Sequence, residues 1–261
     1  MKVRIRFSKE GNLRFIGHLD ILRYFQKAFA RAQVPVKYSE GFHPHPLMSF
    51  ASPLSVGLTS EGEYLDTELE DSLISESGEE ILASLNAVMA DGIRVNSIRR
   101  LPEGQKKKGS SAMALIGQAD YRVTLRSTEA QALSREIWIS VVQHFMDQRE
   151  IIVEAAGKKQ AKKKKRDEAF EADRINIRPW ILSLHAEGAG VFTMCLSAGS
   201  AANLKPETVM EQLIAFAGLE RFKIPGESGE RVRDLWLAIH RLDMRTEEGV
   251  SLSELGEEIS I

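Results

Sequence analysis

Apolar and polar positions alternate from the first residues onward. Val3, Ile5 and Phe7 are separated by Lys2, Arg4 and Arg6, the period-two signature of a half-buried strand with a cationic outer face. From His18 to about Gln33 the apolar positions Leu22, Phe25, Phe29 and Ala32 fall at helical spacing, and Val34-Pro35 marks the exit. Residues 47–58 and 63–69 read as strands, Glu79–Ala90 as a helix and Ile93–Leu101 as a closing strand. The order βαββαβ is that of the split βαβ, or ferredoxin-like, unit. Such a unit carries both helices on one face of an antiparallel sheet and leaves the other face open.

After a polar joint at Pro102–Ser111 the pattern recurs: strand 119–126, helix 129–147, strand 150–155, strands near 175–186 and 190–197, and helix 206–217. Within 129–147, Leu133, Ile137, Val141 and Phe145 keep a four-residue spacing and predict the buried stripe. In the tail, Val232, Leu235, Trp236, Ile239 and Leu242 predict a helix over Arg231–Leu242, either packed on the second unit or docked in a partner's groove. The expected architecture is α+β, with two tandem ferredoxin-like units at 1–101 and 118–226, a linker at 102–117, and a C-terminal helix and tail at 227–261. The length of 261 residues suits two cores rather than one.

A hydrophobic share of 43% with 28% charged residues is enough to build such cores and excludes global disorder. No apolar run approaches the ~18–20 residues that span a bilayer, and the N-terminus lacks a signal-peptide core, so the expected location is the cytoplasm, with no membrane partner. The single Cys195 excludes an intramolecular disulfide and any zinc knuckle or iron–sulfur cluster built on cysteine alone. It reads as a small core residue. No cofactor of the chain's own is expected.

The net charge of −2 hides an asymmetry. The first fifty residues carry nine Lys and Arg, residues 61–91 are acidic, and Lys158–Arg166 is intensely basic, within an expected loop at 157–173. Asymmetry of this kind speaks of anionic partners rather than of fold. On the first predicted helix Arg23, Lys27 and Arg31 recur every four residues. Like charges so stacked destabilise an isolated helix by a few tenths of a kcal/mol per pair, roughly, which an anionic partner would offset. Arg4, Arg6 and Arg14 extend that cationic set. Alternatively, the row is a solvated face balanced by neighbouring acids.

The connection Tyr38-Ser39-Glu40-Gly41-Phe42-His43-Pro44-His45-Pro46 is the most informative segment. Pro44 and Pro46 push the preceding histidines to extended geometry, so His43 and His45 sit on a stiff, non-helical backbone. With Tyr38 and Phe42 they can meet a base or a phosphate, or the segment is only a turn. His18, Asp20, His43 and His45 are also the ligand types for zinc or manganese, although their spacing matches no ligand pattern. His18 or His43 could instead act as a general base on a ribose 2′-hydroxyl, a route to RNA cleavage that needs no metal. Lys205, before Pro206 at a predicted helix start, opposes the helix dipole unless an anion sits there.

The runs Gly11–Asp20, Arg31-Ala32, Pro35–Pro46, Ser49-Phe50-Ala51, Pro53-Leu54, Gly57 and Glu63-Tyr64 resemble a radical-SAM-linked protein family of unknown function. Ile175–Trp180 is also similar to it. Members of that family occur free or fused to cobalamin-binding radical S-adenosylmethionine enzymes, and tend to be encoded beside an RNase E/G-type ribonuclease. The resemblance implies an accessory role near RNA. It transfers no catalytic role to any residue. Lacking a Cys-x-x-x-Cys-x-x-Cys motif, this chain is not the radical enzyme, and a partner would supply that chemistry. The expected function is an accessory RNA-binding protein that presents RNA to a radical SAM enzyme. The alternatives are a metal-independent endoribonuclease, by fold-level analogy with the CRISPR repeat-processing enzymes, and a protein-docking module acting through the tail around Trp236.

Overall fold

The computed structural model describes residues 1–70, 77–102, 111–126, 132–154, 174–200, 202–219 and 237–259. The basic run Lys158–Arg166, the 157–173 loop and Trp236 lie outside them. The first half runs β1 (Lys2–Lys9), a 3-10 turn (Gly11–Phe15), α1 (His18–Arg31), β2 (Met48–Phe50), β3 (Thr59–Glu68), α2 (Gly78–Val88) and β4 (Ile93–Arg100). The second runs α3 (Ala112–Leu115), β5 (Gln118–Leu125), α4 (Arg135–Met146), β6 (Ile152–Glu154), β7 (Arg174–Asn176), β8 (Ile181–Gly188), β9 (Val191–Ser197), α5 (Pro206–Phe216) and β10 (Leu237–Arg245). No helix among the described residues is long and apolar enough to cross a membrane.

These elements form where local chemistry permits. In α1, Ile21, Phe25, Ala28 and Phe29 bury one stripe, while Asp20 in the first turn and Arg31 in the last complement the macrodipole. A capping box between Ser77 and Glu80 starts α2, and Pro206 opens α5. In α4 the expected stripe is rotated. Trp138, Val142 and Phe145 are buried, and Ile137 is exposed. The indole decides this by packing edge-on against Phe192, 5.0 Å between ring centres.

One sheet of mixed, mostly antiparallel strands joins both halves in the order β4-β1-β3-β10-β5-β9-β8, with β2 beside the far end of β3. Within it, β4-β1-β3-β2 and β10-β5-β9-β8 are each antiparallel throughout. Among the described strands only β3 and β10 run parallel, paired at Thr59–His240 and Ser60–Arg241. A separate hairpin, β6-β7, stands off the main sheet. Two cores result, one around Phe7, Phe25, Phe29 and Phe50, the other around Trp138, Phe145 and Phe192.

One expectation is corrected here. Residues 237–242 are not part of a C-terminal helix: they belong to β10, a central strand that joins the halves. A register shift between Arg241 and Asp243 breaks the alternation, which leaves Ile239 and Leu242 at a spacing that imitates a helix. The tail is therefore integral to the sheet rather than an appendage on it. The face of the first half opposite α1 and α2, which a split βαβ unit leaves open for something to cover or use, meets later segments of the chain. Ala112 donates its backbone N–H to Asp66 at 2.7 Å, Arg100 and Glu257 exchange backbone bonds of 2.8 Å, and Leu252 is fully buried.

Candidate functional site

The expected RNA-binding residues separate into buried and presented groups. Arg4 is 2% exposed and bonds Asp66 through Nε (2.8 Å) and Nη2 (3.0 Å). Arg6 donates to the carbonyl of Leu242 at 3.3 Å. Arg4 Nη1 and Arg6 Nε are buried without a partner among the described residues. Arg4 also lines a cleft of about 800 Å³ with Met48, Asp66, Leu115 and Leu255, but its unpaired Nη1 is sealed from solvent. Both arginines belong to the packing of the sheet's second face.

The row on α1 is divided in its use. Arg31 donates to the carbonyl of Val88 at 3.1 Å, tying the end of α1 to the end of α2. Arg23 lies 3.7 Å from Asp20, one turn earlier. Lys27 is exposed and makes no ion pair among the described residues. Ahead of the helix, Arg14 places its guanidinium carbon 4.7 Å from the centre of the Phe15 ring. The backbone N–H of Gly57 donates to the Arg14 carbonyl at 2.9 Å, which sets Val56 beside the 3-10 turn. Phe15 (58%), Leu19 and Val56 are exposed there, an apolar group that the sequence pattern did not predict. The signal was available for Leu19, which falls outside the Ile21-Phe25-Ala28-Phe29 stripe.

The Tyr38–Pro46 connection is a small hairpin closed by a bridge between those two residues. Ser39 holds its other strand twice: its backbone N–H donates to the His45 carbonyl (2.9 Å), and its hydroxyl meets His45 Nδ1 (2.9 Å). His45 thus shapes the hairpin. The tip carries Gly41 in the left-handed region (φ 119°), exposed His43, and Phe42, which is fully exposed. Tyr38 is 54% exposed. The hairpin feeds directly into β2, whose last residue, Phe50, takes the edge of the His18 ring at 5.3 Å between centres. The start of α1 and the root of the hairpin therefore share the β2 side of the first half. Among the described residues no three His, Cys, Asp or Glu side chains group as cation ligands, and His18, Asp20, His43 and His45 are not gathered into one set. Lys205 lies in the other half, exposed, as the N-cap residue of α5.

At the seam a second constellation appears. Arg241 on β10 grips the Glu63 carboxylate on β3 and donates to the Ser52 carbonyl at 2.8 Å. Lys9, also buried, donates to the Ile16 carbonyl at 2.9 Å. Burial pushes the Lys9 ammonium below its usual range, Glu63 opposes that and Arg241 adds to it. Burial works against the charge of Arg241 too, but Glu63 and Tyr121 outweigh it and hold the guanidinium above its ordinary value. Burial raises the Tyr121 phenol, with Arg241 acting the other way and Glu207 of α5 adding slightly. With its carboxylate occupied by Arg241, Glu63 is placed for holding the two halves together rather than for proton transfer. The sequence signal was a glutamate in period-two phase with the apolar Leu65 and Leu69 of its predicted strand.

No curated protein matches the chain. A family model described as "uncharacterized protein conserved in bacteria (DUF2344)" matches residues 2–206, more than half of the sequence, and the chain belongs to that family.

Proposed function

We propose that this protein is a non-catalytic RNA-binding adaptor, built from two split βαβ units, that presents RNA to a radical S-adenosylmethionine enzyme. The reading of two such units rests on the matching strand orders β4-β1-β3-β2 and β10-β5-β9-β8. The RNA surface in this reading is the β2 side of the first half, with Arg14, Arg23, Lys27, Tyr38, Phe42 and His43. The observation that carries it is the wholly exposed Phe42 ring on a hairpin braced by Ser39, His45 and two prolines. Burying nothing, such a ring on a stiff support contributes nothing to folding and is presented outward. The radical enzyme as recipient rests on the sequence resemblance alone.

The test is a gel-shift of a labelled small structured RNA at low and high salt, with and without chelator. Binding that leaves the RNA intact and weakens as salt rises is expected, because phosphate contacts release counterions. Absence of binding at low salt would overturn the reading. RNA cleavage that survives the chelator would replace it with a nuclease using His18 or His43.

A further inference from the structure

Resting on the RNA reading, we infer that the surface selects unpaired nucleotides and holds their bases by stacking on two separate aromatic platforms, Phe42 and Phe15. The hairpin platform offers the whole Phe42 ring to solvent. The second is half assembled: the Arg14 guanidinium lies 4.7 Å from the Phe15 ring centre, and the ring is still 58% exposed. An arginine over an aromatic ring is the start of a stack that a base can extend.

The geometry disfavours a duplex. In an A-form helix the base faces are spent on one another and the major groove is too deep and narrow for side chains to read. A phenylalanine ring with no hydrogen-bonding group gains nothing from phosphates or from base edges. It gains from the π-face of a base, which only an unstacked nucleotide supplies. Both platforms have cations close by in the chain, Lys37 at the hairpin root and Arg14 beside Phe15, to hold the backbone of the same strand. Glu40, exposed near the hairpin tip, repels phosphate there, so the base rather than the backbone is the group that meets Phe42.

The test compares a labelled single-stranded adenosine oligoribonucleotide with the blunt duplex that it forms with its complement, by fluorescence anisotropy at low salt, on the full chain. The single strand is expected to bind more tightly than the duplex. Phe42→Ala and Phe15→Ala are each expected to weaken it by about tenfold, within the range for removal of one base stack. Phe42 has no packing to lose, and circular dichroism checks that both variants fold. The fluorescence of a 2-aminopurine in the strand is expected to change on binding the wild type, as the base leaves its neighbours for the ring, and to change less on binding Phe42→Ala. Equal affinity for strand and duplex, or unchanged affinity in both variants, overturns the inference while leaving RNA binding in place. No binding of either RNA removes both.

Discussion

Arg241 and Glu63 form a buried ion pair across the only parallel junction among the described strands, with Nε and Nη2 at 2.8 and 2.6 Å from one carboxylate oxygen. Each residue comes from a different half of the chain. The ionic contact therefore ties the two cores together at a place where backbone pairing spans only two residue pairs.

Breaking that pair from one side leaves a buried charge unmatched. Arg241→Met and Glu63→Gln are each expected to cost about 3–5 kcal/mol in urea unfolding. The Arg241→Met, Glu63→Gln double variant is expected to be more stable than the sum of the single losses. Strict additivity would show that the two side chains are energetically independent.

Gly62 sits where β10 crosses β3. A Cβ placed there would lie 2.4 Å from the Leu242 carbonyl oxygen and 2.6 Å from the Cα of Asp243, both backbone atoms. Gly62→Ala is expected to lower the unfolding midpoint by the equivalent of about 1–3 kcal/mol, the usual range for overpacking. Gly57→Ala measures a different effect: its added methyl meets nothing within 4 Å, and only the positive φ of 92° is strained.

Burial, with the Asp243 carboxylate accepting from its hydroxyl, pushes the Tyr64 phenol up to about 12 from 10.0. Below 10.0 both folded and unfolded chains hold the proton, so the contribution is complete. Between 10.0 and about 12 the unfolded chain has lost its proton and the folded chain has not, so stability falls as pH rises, by about 3 kcal/mol at most. Urea unfolding across that window is expected to show the decline, and Tyr64→Phe to flatten it.

The Cys195 thiol is pushed up to about 12, by burial first and then by the Asp120 carboxylate beside it. A thiol held this far from ionisation is a poor nucleophile. Modification by a thiol reagent near neutral pH is expected to be slow in the folded protein and fast in urea. Rapid labelling of the native protein would contradict this.

If Lys27 and Arg23 neutralise phosphates, their alanine double variant is expected to flatten the plot of log affinity against log salt. On single-stranded RNA the slope changes by roughly 0.7 for each phosphate that is no longer neutralised. Arg4→Ala is expected to act through stability, because its guanidinium is engaged by Asp66.

The helices and most strands were legible in the pattern because each depends on its own residues. Phe25 and Phe29 predict α1 whatever they pack against, and Ser77 with Glu80 starts α2 locally. The tail defeats its own periodicity because strand β10 contains a register shift and a buried arginine, which together erase the period of two. The candidate site divides the same way. Exposure of the hairpin follows from Gly41, Pro44 and Pro46. Which cations face solvent does not, since Arg4 and Arg6 read like Arg14 until Asp66 and Leu242 are brought to them.

By itself the sequence determined an α+β chain with two cores, a rigid aromatic and histidine-bearing connection after α1, and a cationic N-terminal region. Periodicity, capping and proline geometry act over a few residues, and so are written locally. Only the tertiary structure decided that residues 237–245 join the halves as a central strand, that Glu63 answers Arg241, and that Phe15 stays outside. Those outcomes depend on pairings between residues as much as 181 positions apart, which no local pattern encodes.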